Sequence, residues 1–98
     1  MAFFLMLCRD RPGAAPVRAT HRQRPVDYWL GIPGAVKVAG AIMDGDQPIG
    51  SSILIEAADE TTARQLVAGD PFTTEGVFAD PPEAIAVRPA IGAWIPAS

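Results

Sequence analysis

A chain of 98 residues, 49% apolar and 19% charged, is one folded domain, 1–98, and not a disordered tail. Its single cysteine, Cys8, excludes an internal disulfide and any multi-cysteine zinc site, and fits a reducing compartment. A net charge of −3, with no basic run or stacking motif, argues against nucleic acid as a partner.

The charge is uneven along the chain. Residues 1–37 carry six bases and two acids, net +4; the remainder carries two bases and nine acids, net −7. A basic region around the first helix attracts small anions, although solvated charged faces are ordinary on surfaces.

The opening "MAFFLMLCRDR" lacks the basic n-region and the cleavage site of a signal peptide, and its apolar run is too short to span a bilayer. It reads as a buried strand over 2–8 of a cytoplasmic protein. Phe3, Leu5 and Leu7 lie on one face of it, and Phe4, Met6 and Cys8 on the other. Such a strand needs cover on both sides. "RDRPGAAP" is a loop.

Residues 16–31 follow helical spacing, with Pro16 in the first turn and Val17, His21, Arg24 and Tyr28 on one face. Pro25 cannot donate to the carbonyl of His21, so either the helix kinks there or two short helices meet there. Gly31 ends it. A second strand over 35–42 precedes the polar turn "MDGDQPIG". A third strand over 51–57 alternates at Ile53 and Ile55. Asp59 caps a helix over 60–68, with Ala63, Leu66 and Val67 inward and Gly69 at its end. "PPEAIAVRPAI" supplies the fourth strand, with Ile85 and Val87 facing one way.

The order β-α-β-β-α-β predicts an α+β, ferredoxin-like fold: an antiparallel sheet with its helices on one face. The other face is left partly apolar by Phe4, Met6 and Leu54, and a homodimer through that face would cover it.

Several motifs extend this reading: Arg18 and His21 in "RATH", Gly50-Ser51 opening the third strand, and "DPF…G.F" from Asp70-Pro71-Phe72 to Gly76 and Phe78. On these the chain resembles the YCII-related (YciI-like) family, small dimeric relatives of the dimeric α+β barrel group that includes muconolactone isomerase. "DPF…G.F" is the most specific of them. The resemblance implies a His–Asp pair, His21 and Asp70, in a pocket between sheet and helices. Pro25 departs from the family pattern, which usually continues the helix there.

A carboxylate bonded to one imidazole nitrogen fixes the tautomer and favours the imidazolium. Such a pair suits general acid–base work without a cofactor. Isomerisation, ester or lactone chemistry and loss of a leaving group all fit. Arg18, three residues before His21, is placed to hold an acidic or oxygenated small ligand by two parallel bonds. Ser51 and Phe72 complete the candidate binding set.

Competing readings stand beside these: a packed His21, an Asp70 whose side chain bonds turn amides, and an Arg18 whose stem covers apolar area. Cys8 reads as a small buried hydrophobe. One histidine and scattered acids give no metal spacing, and "GIPGAVKVAG" is no phosphate cradle. A non-catalytic ligand-binding or accessory domain, and a cofactor-free oxygenase of the same fold, are the alternatives to an acid–base enzyme.

Overall fold

Eight elements follow one another: β1 (Ala2–Arg9), α1 (Ala15–His21), α2 (Gln23–Leu30), β2 (Val36–Asp44), β3 (Gln47–Ala57), α3 (Glu60–Ala68), α4 (Pro71–Thr74) and β4 (Glu83–Val87). The structure is a computed structural model and describes residues 2–93. The strands form one antiparallel sheet in the order β2-β3-β1-β4, the ferredoxin-like arrangement of an α+β fold. No helix among the described residues is long and apolar enough to cross a membrane.

The long first helix is two helices that meet at Arg22. Pro25 falls in the first turn of α2, where a missing N–H costs no intrahelical bond. The break therefore lies three residues before Pro25. It also changes which face is inward. The buried residues are Arg18, Pro25 and Trp29, one position round from the expected stripe of Val17, His21, Arg24 and Tyr28.

β3 begins at Gln47 rather than 51, because the turn is only Gly45-Asp46. Gly45 has φ +58° at the first central position, the place of glycine in a II′ hairpin. Asp59 caps α3 as its spacing predicts, accepting from the Thr62 amide at 2.8 Å. One further turn, α4, follows Asp70.

The core lies between the sheet and the helices. Phe4, Met6 and Cys8 of β1 and Ile53, Ile55 and Ala57 of β3 pack there with Trp29, Ala63 and Val67. Phe4 and Met6 are thus inside, not on the open face. The face away from the helices carries Phe3, Leu5 and Leu7, with Leu54 as expected. The register aligns Val38, Leu54, Leu5 and Ile85 in one row across all four strands. Val38 is 60% exposed and Ile85 37%.

Gly50 is buried on β3 opposite Arg9, and a Cβ there would stand 2.5 Å from the Cys8 carbonyl oxygen. Backbone must move to relieve that clash. Gly50→Ala is expected to cost about 3 kcal/mol, read from the shift in the urea midpoint.

Candidate functional site

β1 ends at Arg9, and the next residue, Asp10, meets Arg18 from α1. The Arg18 Nε–Asp10 Oδ2 distance is 2.7 Å and the Nη2–Oδ1 distance 2.8 Å, a bidentate pair. Nη2 also donates to Ser51 Oγ at 2.9 Å, and the guanidinium lies 4.4 Å from the Phe72 ring centroid. Arg18 is 7% exposed. Such burial is tolerated because the charge is paired and hydrogen-bonded. Arg18, Ser51 and Phe72 thus meet, as three candidate binding residues should. The two parallel bonds foreseen for a ligand are made to Asp10 instead. Nη1 keeps its two N–H donors free of partners among the described residues.

Asp70 is 1% exposed, at the N-cap of α4. Its Oδ1 accepts from the Phe72 amide at 2.8 Å, and its Oδ2 from Trp29 Nε1 at 2.9 Å. Burial pushes this carboxyl above the usual range. The two hydrogen bonds and the Arg18 charge pull the other way without cancelling it. Each oxygen has spent one of its two acceptor positions, so a reacting group can still approach.

His21 stands elsewhere. It closes α1, half-buried, with Nε2 3.5 Å from Glu75 Oε1 and Nδ1 3.3 Å from Arg24 Nη1. Arg24 also pairs with Glu75 at 3.2 Å. The expected His21–Asp70 pair is therefore not formed: the indole and the α4 amide satisfy Asp70, and Glu75 at the end of α4 takes the imidazole. His21 is 49 positions from Asp70 and 54 from Glu75, and Asp70 is 41 from Trp29, and no local spacing specifies such a choice.

Between α1, α2 and strands β2 and β3 lies a cavity of about 850 Å³. Arg18, Ser51, Asp70 and Phe72 line it; His21 does not. Trp29, Val36, Ala39, Ala41 and Ile53 supply apolar wall, and Arg22, Lys37 and Asp46 add charge. Mostly apolar walls with a few convergent polar groups are the ordinary construction of a small-molecule site. A buried carboxyl whose pKa is raised by desolvation, on the wall of a cavity, is a candidate for proton handling. Sequence reasoning missed Trp29 and Asp10. Trp29 lies four residues after Pro25, and that spacing signals a shared inward face.

Cys8 sits on β1 beneath Asp70, its thiol pushed up to about 12 by burial and then by the Asp70 charge. It is no nucleophile at neutral pH. Native protein is expected to leave Cys8 unalkylated by iodoacetamide, and urea-unfolded protein to react fully, as intact mass will report.

Fold and cavity together define a ferredoxin-like α+β protein with a polar-floored pocket. The YCII-related domain model matches residues 2–82, and the chain belongs to that family. Among solved structures it is similar to 5-chloro-2-hydroxyhydroquinone dehydrochlorinase (TftG) from Burkholderia phenoliruptrix, in complex with 2,5-dihydroxybenzoquinone. The identity is 27%, the TM-score 0.74, and the match covers 92% of this chain and 95% of that one. It shares its fold with a protein assigned as an antibiotic biosynthesis monooxygenase from Bacteriodes thetaiotaomicron, at 18% identity and TM-score 0.59, covering 98% and 95%. It shares it also with a NIPSNAP domain protein from Burkholderia xenovorans, at 15% identity and TM-score 0.51, covering 99% and 100%. A search of curated proteins finds no match.

Proposed function

We propose that the chain is a cofactor-independent, cytoplasmic enzyme of lyase or isomerase type that moves a proton on a small oxygenated ring compound. The observation that carries this reading is Asp70: a buried carboxyl, pushed up by desolvation, on the wall of an 850 Å³ cavity. The likeness to a dehydrochlorinase at 27% identity supports the reaction class. Loss of hydrogen chloride needs a base for the proton and a site where chloride departs with its bonding electrons. In this reading Asp70 takes the proton. Arg18 Nη1 faces the oxyanion that forms, with Ser51 holding the guanidinium in place and Phe72 under it. His21, at the end of α1 beside Glu75, lies outside the cavity and takes no part in this step.

The test is chloride release from 5-chloro-2-hydroxyhydroquinone, alongside binding of 2,5-dihydroxybenzoquinone followed by NMR. Turnover that depends on Asp70 supports the reading. Binding without turnover favours a second one, a ligand-binding domain without catalysis. The observation on its side is that Asp70 already accepts two hydrogen bonds as a helix cap.

The same proposal includes a homodimer. The row Val38, Leu54, Leu5 and Ile85 is apolar and open to solvent in one copy, and a second copy of the sheet covers it.

A further inference from the structure

We propose that Trp29 is a positioning residue for Asp70: its indole N–H orients the carboxyl and sets the pH at which it ionises. The inference rests on the acid–base reading of Asp70 but can be tested apart from it.

The geometry is specific. Trp29 Nε1 donates to Asp70 Oδ2 at 2.9 Å, in a contact between buried groups from α2 and from the start of α4. An indole N–H donates and never accepts, so this bond is strongest when the carboxyl is ionised. The Phe72 amide holds the other oxygen, and the two donors together fix the plane of the carboxyl. Trp29 also lines the cavity, so the ligand and Asp70 meet the same side chain.

The indole is itself held. Its neighbour Tyr28 donates from its hydroxyl to the Leu66 carbonyl at 2.6 Å and ties α2 to the end of α3. The Tyr28 and Trp29 rings meet edge to face at 5.0 Å. Seating of α2 is thereby linked to the carboxyl: a shift of this helix moves the donor on Oδ2. The charged and titratable groups around Asp70 are Arg18 from α1, Tyr28 from α2 and Cys8 from β1. Arg18 favours the carboxylate. Tyr28 and Cys8 are neutral at working pH, their own ionisation opposed by burial and by Asp70. Trp29 is thus the side-chain hydrogen-bond donor on Asp70 among the described residues, and its removal leaves burial opposed by the Phe72 amide and Arg18 alone.

The experiment follows the Trp29 indole N–H by nitrogen-edited NMR through a pH titration of the full chain, in wild type and Asp70→Asn. The expected result is an indole resonance that titrates in wild type and is flat in Asp70→Asn. In Trp29→Phe the Asp70 carboxyl, read by its carbon-13 shift, is expected to titrate about one pH unit higher or more. The acid limb of the rate profile should move with it, kcat falling more than KM changes. An indole that ignores Asp70's titration overturns the inference. So does a Trp29→Phe protein that is merely less stable, with carboxyl and rate profile unmoved. If Trp29→Phe fails to fold, the wild-type and Asp70→Asn titrations still decide. An enzyme that keeps its rate in Asp70→Asn would instead sink the acid–base reading, a different result from either.

Discussion

Asp70→Asn is expected to lower turnover by about 10²–10⁴-fold, the usual worth of a general acid or base, with ligand binding retained. Asparagine keeps the shape, and its amide oxygen can still accept the Phe72 N–H that caps α4. Its NH2 would then face the Trp29 N–H, two donors with nothing between them, so some stability is lost but not the fold. His21→Ala is expected to cost far less, since its ring lies on Glu75 and Arg24 and not in the cavity. If the two variants lose equally, the proton path runs through both residues. If only His21→Ala loses rate, the assignment of Asp70 as the base is wrong.

The same carboxyl gives a pH signature with a definite sign. Its folded pKa is raised, so between the ordinary value and the raised one the native state binds the proton more tightly than the unfolded chain. Stability contributed here falls as pH rises through that window, and above it the cost of burying the charge is felt in full. A base must be ionised, so activity rises over the pH range in which this contribution to stability is lost. Urea midpoints taken across that range should show a slope in wild type that Asp70→Asn removes.

Local signals in the sequence were reliable where one residue decides the outcome. Asp59 before "ETTARQLVA" is a helix cap by its chemistry alone, and Gly69 ends that helix. The faces of β1 were not legible, because Phe3, Leu5, Leu7 and Phe4, Met6, Cys8 are equally apolar. Pairing decides: Phe4 and Met6 stand opposite Ile55 and Ile53, above the helices, and Leu5 opposite Leu54. The inward face of the first helical segment was hidden for a different reason. Its buried member on α1 is an arginine, which a hydrophobic pattern passes over, and the break at Arg22 resets the phase. Of the site, the nearness of Arg18, Ser51 and Phe72 to one another was legible. The partner of Asp70 was not, because both an indole and an imidazole lay on the same stretch of chain and only the fold selects between them.

Leu54→Arg is expected to turn the proposed dimer into a monomer, the largest change foreseen for any residue outside the cavity. Leu54 sits in the middle of the row that runs Val38, Leu54, Leu5, Ile85, on a central strand of the sheet. Its side chain points away from Phe4, Met6, Ile53 and Ile55, so a longer cationic residue disturbs no core packing within one copy. At a two-fold interface the same residue meets its surroundings twice, and two guanidinium groups would have to be desolvated together without a partner. A chain of this size hides only roughly 60–65% of its unfolded surface by itself, so loss of the partner should also lower thermal stability. Sedimentation velocity on wild type and variant separates the outcomes. A wild-type mass of two chains that halves in Leu54→Arg supports the sheet-face dimer. A wild type that sediments as one chain removes it. A variant that stays dimeric moves the interface to another surface and leaves the apolar row in need of a different cover.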